Sequence, residues 1–302
     1  MAQNLAGTIT TGSNPARLMP GVRAFWGAEY NAISDIYDKI YDRVSSNKAF
    51  EMDAEETGFG LAPMKPEAEP IHYDSTKPLA DTLTRNITYG LGFVISREAI
   101  EDNQYDALIP KYTRLLARSM KATKEFKGAL KFANNDTSAD KQPLFSKTHP
   151  VIGGTQSNIL DTQAPLTAAS LEDVVVLNSM AKDARGLPIR VTPRALVVSS
   201  KNAFNAQVIL KSTLDPASSN NAINPMANYL SGGVVVNPYL DGYADDMWFV
   251  TTDLPEAFKY YDRRAIELSQ EDEFDTENLK VKATERYGFA FIDFRGAVAG
   301  HL

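Results

Sequence analysis

The alternation of apolar and polar positions divides the chain into helical and extended stretches. Between Ala24 and Val44, apolar residues recur every three or four positions, which predicts an amphipathic helix with an aromatic stripe: Trp26, Tyr30, Ile33, Tyr37, Ile40 and Val44. The same spacing runs from Asp102 or Asn103 to Ala133, with Pro110 in the first turns, where a missing N–H costs little. At a rise of ~1.5 Å per residue, this second helix spans about 45 Å and can serve as a spine.

Residues 50–97 predict a long β-hairpin. Apolar residues alternate with small polar ones from Thr82 to Ile95, over more positions than a typical strand has. The segment between the two arms contains four prolines, which deny backbone donors to a ladder and block edge pairing: Pro63, Pro66, Pro70 and Pro78. We therefore expect two long strands with a projecting proline-rich tip that needs a surface to rest on.

From Thr167 onwards, the pattern becomes a compact succession of short helices and strands. The predicted elements are a helix from Thr167 or Ser170 to Ala184, a strand at 190–199, a helix at 201–214, and strands at 233–237 and 247–252. Two further strands, at 279–284 and 287–294, predict a terminal hairpin. The fold class that follows is α+β.

Composition and charge narrow the class of protein. The formal net charge of −7 argues against a free DNA-binding module, which is usually basic. The sequence contains no cysteine, so disulfides, thiolate nucleophiles and sulfur-bound metals are excluded. The first residues lack the basic start and apolar run of a secretory signal, and no apolar stretch approaches the length of a membrane span.

Candidate chemistry is sparse. A hydrolase needs a base placed by a carboxylate, and the three histidines, His72, His149 and His301, lie in the proline-rich tip, in a loop and next to the end. Neither a G-x-S-x-G elbow nor a phosphate-binding glycine motif occurs. We therefore predict that the protein is not an enzyme, and that it has no catalytic residues and no cofactor.

Two other features have structural explanations. The G-x-G pairs Gly58/Gly60 and Gly90/Gly92 fall inside predicted strands and indicate bulges or close backbone contacts. The acidic run at 271–277 offers oxygen ligands for calcium but lacks the glycine of an EF-hand loop, so we interpret it as a solvated turn. No metal site is predicted.

Several segments resemble, in sequence and in order, the major capsid proteins of tailed bacteriophages. The extended loop of that family returns into its spine helix through a stretch similar to ITYGLGFVISREAIEDNQYDALIPKYTRLLARSM (87–120). The segment after the spine in Mu-like prophage major head subunits is similar to LFSKTHP (144–150). The central domain and the terminal strands of the family resemble VTPRALVVSSKNAFNAQVIL (191–210), GGVVVNPYL (232–240), MWFVTTD (247–253) and ATERYGFAFIDFRGAVAG (283–300), the last with Arg286 and Arg295 at the expected places.

The resemblance covers residues 50–300 and implies an α+β chain of the Hong Kong 97-like capsid fold. Its parts would be an N-terminal arm and helix (1–49), an extended β-hairpin loop (50–97), a peripheral domain with the long spine helix (98–165), a central, axial α/β domain (166–261), and the return strands of the peripheral domain (262–302).

The implied function is that of a structural head protein. Many copies would self-assemble in the host cytoplasm into the hexamers and pentamers of an icosahedral virion capsid around double-stranded DNA, without sequence specificity. The implied partners are a portal protein, a scaffolding protein and, as a further candidate, a decoration protein. We expect the scaffolding protein to be separate, because the chain has no room for the long N-terminal scaffolding region of some members.

Two sets of residues are candidates for contacts in such a shell. The basic band of the spine helix is a candidate DNA-facing surface, with a solvated helix face as the alternative: Lys111, Arg114, Arg118 and Lys121. The candidate inter-subunit contacts are the aromatic residues and the loop lysines, with packing inside the subunit as the alternative for the aromatic stripe: Trp26, Tyr30, Tyr37, Tyr89, Lys65 and Lys77.

Two other classes of protein remain open on the sequence. An encapsulin, a bacterial compartment shell, shares the fold but packs cargo enzymes in place of DNA. A soluble α/β enzyme is a more distant alternative, and its small oligomeric size would distinguish it from either shell.

Overall fold

The computed structural model describes residues 26, 30, 34–101, 105–214, 223–273 and 277–302. The predicted arm at 1–22 lies outside these residues. The chain divides into two compact units. The first unit comprises the described residues of 1–34, 87–124 and 264–286, and the second unit those of 35–86, 125–263 and 287–302.

The described residues form four α-helices and twelve strands. The α-helices are α1 (Arg97–Glu101), α2 (Tyr105–Ala133), α3 (Ala168–Ser179) and α4 (Ala203–Lys211). The strands are β1 (Asp42–Ser45), β2 (Phe50–Glu56), β3 (Pro78–Arg85), β4 (Ile87–Ile95), β5 (His149–Val151), β6 (Gly154–Gln156), β7 (Pro193–Val198), β8 (Gly233–Val236), β9 (Trp248–Thr252), β10 (Phe258–Asp272), β11 (Leu279–Phe291) and β12 (Ala297–His301). The helix α2 confirms the predicted spine.

The second unit is built around a four-stranded sheet in the order β12-β9-β7-β8. Strand β7 is parallel to β8 and antiparallel to β9, and every residue of β9 is buried. Helix α3 begins at a capping box, in which Thr167 and Ser170 exchange hydrogen bonds of 2.9 and 3.1 Å. Leu171 and Val174 of this helix pack with Trp248 in one apolar core.

A second core in the same unit is aromatic. The ring of Phe132 at the end of α2 stacks on Phe249 with 4.7 Å between centroids and lies 4.8 Å from Phe291. Tyr41 packs 4.8 Å from Phe289 and donates a hydrogen bond of 2.9 Å to the carbonyl of Gly128. These rings tie the end of the spine helix to β9 and β11.

In the first unit, the apolar face of α2 packs on β4 and β11. Leu116, Ala117 and Met120 form one buried cluster with residues of both strands. The strands approach closely, since a Cβ atom added at Gly92 would lie 2.6 Å from the carbonyl oxygen of Val281. This confirms the close contact predicted for the pair Gly90/Gly92. The other pair was misplaced, because Gly58 and Gly60 follow β2 and lie in no strand.

The predicted helix from Ala24 to Val44 is wrong at its end. Trp26 and Tyr30 are helical, and the other residues of 24–33 lie outside the described residues. Residues 42–45 instead form β1, parallel to β10 with Val44 opposite Tyr261. The spacing of Val44 is compatible with a helix or a strand, and residues 42–45 form a strand because they pair with the edge of β10.

The predicted strand from Thr82 to Ile95 is two strands. Asn86 separates β3, which pairs with β2, from β4, which joins the sheet of order β1-β10-β11-β4. The side-chain amide of Asn86 donates to Ser46 Oγ at 2.8 Å and to the Lys48 carbonyl at 3.0 Å. These side-chain hydrogen bonds hold Asn86 at the point where the chain leaves the sheet of β2 and β3 and enters the sheet that contains β4.

The terminal hairpin was also misplaced. Leu279–Phe291 is one continuous strand, β11, and its neighbours in the sheet are β10 and β4. Glu285 and Arg286, which separated the two predicted strands, lie within this strand. Helices α3 and α4 end at Ser179 and Lys211, three to five residues before their predicted ends at Ala184 and Leu214.

Candidate assembly surfaces

The loop between β2 and β3 presents apolar side chains to solvent. Strands β2 and β3 pair antiparallel, with Met52 opposite Leu83, so the hairpin predicted over 50–97 ends at Arg85. Beyond the strands, five large apolar side chains are 65 to 89% exposed: Phe59, Leu61, Met64, Ile71 and Tyr73. Lys65 and Lys77, the predicted loop contacts, are also exposed. Exposed apolar surface of this extent is typical of sites that contact another molecule.

The base of this hairpin is fixed to β10 of the same unit. Asp53 on β2 accepts a bond of 2.9 Å from the ammonium of Lys259 and a hydrogen bond from the Tyr261 hydroxyl. Glu256 pairs with the same ammonium at 2.8 Å. Burial, reinforced by the carboxylate of Asp53, raises the pKa of Tyr261 above its ordinary value. The hydroxyl therefore stays protonated as a donor, and the hairpin projects from a firmly held base.

The aromatic pair Trp26 and Tyr30 packs within the first unit. The two rings stack with 5.9 Å between centroids. Trp26 is only 7% exposed, because it packs against Leu116 and Met120 of α2. Tyr89 of β4 is half-buried at the edge of the same cluster. Trp26 therefore contributes mainly to its own subunit, while Tyr30 and Tyr89 retain some exposed surface.

Tyr37 is buried in the second unit at 5% exposure. Its ring lies 4.9 Å from Tyr260 and 6.0 Å from Phe289, and its backbone N–H donates to the carboxylate of Glu125 at 3.0 Å. The neighbouring N–H of Ile36 donates to the same carboxylate at 2.7 Å. We correct the expectation for Tyr37, because packing inside its own unit leaves almost no surface for a neighbour.

The basic band of α2 splits into exposed and buried members. Lys111, Arg114 and Arg118 are exposed. Lys121 is only 5% exposed, and its ammonium lies 4.7 Å from the centroid of the Tyr30 ring. The candidate DNA-facing surface therefore consists of three residues, and Lys121 is a cation–π partner inside the unit.

Sequence reasoning missed an ion pair under this band. The Lys124 ammonium lies 2.7 Å from a carboxylate oxygen of Glu285 and donates to the Tyr30 hydroxyl at 3.0 Å. Both ionic side chains are buried, and all three residues belong to the first unit. A charge between apolar positions of a strand is the signal that could have found Glu285.

His149 is a structural residue. Its side chain is fully buried, Nδ1 lies 2.5 Å from the carboxylate of Asp140, and Nε2 lies 3.1 Å from Asn158 Oδ1. Its ring stacks on Phe294 at 3.8 Å between centroids. His72 is exposed in the loop, and His301 is partly buried in β12. His149 therefore holds the neighbouring segments together through its stacking on Phe294 and its contacts with Asp140 and Asn158.

Across the part of the chain that the structure describes, no group of three or more histidine, aspartate or glutamate residues could hold a metal ion. In the acidic run, Glu273 pairs with Lys280 at 2.5 Å and Glu277 with Arg97 at 3.1 Å, while 274–276 lie outside the described residues. None of the described helices combines the length and the hydropathy that a membrane-spanning helix requires.

The comparisons with known proteins agree with this arrangement of hairpin, spine helix and central sheet. These parts define a structural shell subunit. The family model for phage capsid proteins matches residues 80–300, and the chain belongs to that family as a major capsid protein of the tailed-phage type. A search of curated proteins found none that matches the sequence.

Solved structures share the Hong Kong 97-like fold at low sequence identity. The capsid of the empty GTA particle is 12% identical with a TM-score of 0.56, and 88% of this chain and 90% of that one are covered. The Mycobacterium phage Che8 chain is 16% identical with a TM-score of 0.55 and the same coverage. A virus-like particle from Pyrococcus furiosus is 10% identical with a TM-score of 0.52, and 93% of this chain and 98% of that one are covered.

Proposed function

We propose that copies of this chain assemble as hexamers and pentamers of an icosahedral shell, and that the loop between β2 and β3 makes the principal contact between copies. The observation that carries this is the exposure of its apolar side chains, of which Leu61, Met64 and Tyr73 are 81, 89 and 88% exposed. Covering such side chains removes apolar surface from water, at about 25 cal/mol per Å².

The test replaces Leu61, Met64 and Tyr73 together with serine. We expect the variant to stay as single subunits in size-exclusion chromatography, with an unchanged circular dichroism spectrum, because these side chains are exposed in the single chain. The matched control changes Glu67 and Glu69 of the same loop to glutamine, which alters charge but not apolar area. Normal particles from the serine variant would contradict the proposal.

The shell would enclose double-stranded DNA without reading its sequence. The exposed bases Lys111, Arg114 and Arg118 lie along one helix of an otherwise acidic chain, and such residues bind phosphates in a salt-dependent way. Changing all three to glutamine should leave empty shells intact and lower the salt concentration at which DNA escapes. An equal change at the exposed lysines Lys39, Lys48 and Lys141 is the control.

Further partners follow from the same proposal. A portal protein would occupy one vertex, a scaffolding protein would guide assembly in the host cytoplasm, and a decoration protein would bind the finished shell. The capsid of bacteriophage JBD30, decorated with minor capsid protein trimers, matches at 13% identity with a TM-score of 0.54 over 69% of this chain and 92% of that one. Co-purification of the chain with proteins of its own genome would test these partners directly.

A further inference from the structure

The loop at 58–76 is closed at its base but has few constraints beyond it. The backbone N–H of Thr57 donates to the Lys77 carbonyl at 3.0 Å, and the Lys77 N–H donates to the Thr57 hydroxyl at 3.1 Å. Thr57 is 4% exposed, whereas almost every residue between 58 and 75 is exposed. Prolines at 63, 66 and 70 also remove backbone donors from this stretch. Side-chain contacts are therefore the main remaining source of constraint on the loop.

One carboxylate joins the two limbs of the loop. Asp74 accepts the backbone N–H of Gly60 at 2.8 Å from the outgoing limb and that of Ser75 at 2.8 Å from the returning limb. These bonds, with the adjacent guanidinium of Arg185, hold the pKa of Asp74 at about 2. The group is therefore an anion throughout the neutral range.

Arg185 connects this junction to the body of the second unit. Its Nη1 donates to Asp74 Oδ2 at 2.7 Å, while its Nη2 donates to Asp74 Oδ1 at 3.4 Å and to the Ser75 carbonyl at 2.7 Å. A fork that binds both oxygens of a carboxylate fixes geometry as well as charge. A Cβ atom at Gly60 would lie 3.2 Å from Nη1, so a larger residue there would crowd the guanidinium.

The guanidinium is presented by a tight turn. The side chain of Asp183 accepts the backbone N–H of Arg185 at 2.9 Å and of Leu187 at 2.8 Å. Gly186 has a φ of +82°, a conformation that favours glycine, and its N–H donates to the Asp183 carbonyl at 3.0 Å. The turn therefore holds one end of the contact rigidly while the loop supplies the other.

We infer that Arg185 and Asp74 form a releasable clamp that orients the loop 58–76 on its own subunit. The two side chains remain 23% and 33% exposed, so salt screens their attraction and the clamp orients the loop without locking it. Closed, it limits the directions in which the apolar side chains project. Released, it frees the loop to follow a second copy of the chain, a role that rests on the proposed shell function.

The test is hydrogen–deuterium exchange on the full chain, at a concentration where size-exclusion chromatography shows single subunits. In the peptides covering 58–76, we expect Asp74→Asn to speed exchange of the Gly60 and Ser75 amides, which Asp74 binds, by about two- to fivefold, the range that loss of a partly exposed ion pair allows. The native chain should show a similar increase in 1 M salt, whereas Asp74→Asn should respond little to salt.

Two further variants keep the result interpretable. Arg185→Lys retains the charge but not the fork, so it should fall between the native chain and Asp74→Asn. Lys201→Gln breaks an exposed ion pair with Asp246, 2.6 Å long, elsewhere in the second unit, and should leave the loop unchanged. Equal thermal unfolding of all variants shows that the fold is intact.

Exchange of the loop that is insensitive to both Asp74→Asn and salt would overturn the clamp. That outcome differs from failure of the shell function. If the native chain forms no particles under the electron microscope but the exchange responds as expected, the clamp stands and the shell function falls. If particles form and the exchange is unaffected, only the clamp falls.

Discussion

The ammonium of Lys124 lies 2.7 Å from the carboxylate of Glu285, with side-chain exposures of 7 and 1%. Burial lowers the pKa of Lys124, but the carboxylate and the Tyr30 hydroxyl outweigh it and hold the pKa above its ordinary value. The spine helix and β11 therefore meet in the first unit through a charged contact inside an apolar cluster. Removal of either partner alone would leave the other charge buried without a counter-charge, which destabilises the fold.

Removal of one partner should be costly. We expect Lys124→Met to lower the free energy of unfolding by about 3–5 kcal/mol, because it leaves the Glu285 carboxylate buried without its counter-charge. The double variant Lys124→Met/Glu285→Leu should recover most of this loss. Urea unfolding of the dissociated chain measures both.

The exposed pair Lys201 and Asp246 provides the control. Their side chains are 60 and 59% exposed, so Lys201→Met should change the free energy of unfolding by about 0–1 kcal/mol. A loss at Lys124→Met as small as this would show that water relieves the Glu285 charge and that the pair is not buried in solution.

The same pair predicts a dependence on alkaline pH. Because the pKa of Lys124 is raised in the folded chain, its contribution is fully present below the ordinary lysine pKa of about 10.4 and is lost as pH rises through the higher folded value. The difference in unfolding free energy between the native chain and the double variant should thus stay constant from neutral pH to about 10. A difference that already shrinks near pH 8 would contradict the direction of the shift.

The stability of a Trp26 variant distinguishes packing within one subunit from contact between copies. Because it is 7% exposed within its own unit, Trp26→Ala should lower the free energy of unfolding of the single subunit by about 3–5 kcal/mol. Tyr30→Phe keeps the ring and removes only the hydroxyl that accepts from Lys124, so it should cost less. A Trp26→Ala subunit of native stability that fails to assemble would instead place Trp26 at a contact between copies.

Gly300 should tolerate no side chain. A Cβ atom there would lie 1.9 Å from Cζ2 of the fully buried Trp248, so Gly300→Ala must displace the indole from its hydrogen bond to the Ala164 carbonyl. We expect a loss of about 1–3 kcal/mol or more and a changed tryptophan emission spectrum. Gly154→Ala, which meets no atom within 4 Å, is the control, and equal melting temperatures of the two variants would refute the expected overlap.

The sequence predicts the long elements well and their partners poorly. Helix α2 was predictable because its 29 residues repeat the helical spacing many times. Strand β1 was not predictable, because its four residues contain only one valine and are compatible with a helix or a strand. Its extended conformation depends on pairing with the edge of β10. At Asn86, alternation continues across the break, so only the amide's bonds to Ser46 and Lys48 reveal that the chain changes sheets.

Among the candidate surfaces, the loop between β2 and β3 was predictable from the sequence, whereas two side-chain contacts were not. The loop at 58–76 was predictable, because its prolines are a local feature of the sequence, whereas the exposure of its apolar side chains was not predicted. The contact of Arg185 with Asp74 was not, because 111 positions separate two residues that resemble ordinary surface charges. The burial of Lys121 was equally hidden, since a lysine on a basic helix face shows no sign that a tyrosine from another segment covers it.

Electron microscopy of the purified chain, with size-exclusion chromatography of the same sample, measures directly whether its copies assemble into a shell. We expect closed shells of uniform diameter built from rings of five and six subunits, and their loss in the variant with serine at 61, 64 and 73. A chain that remains a monomer or small oligomer at every concentration, with no particles in the micrographs, would contradict this expectation.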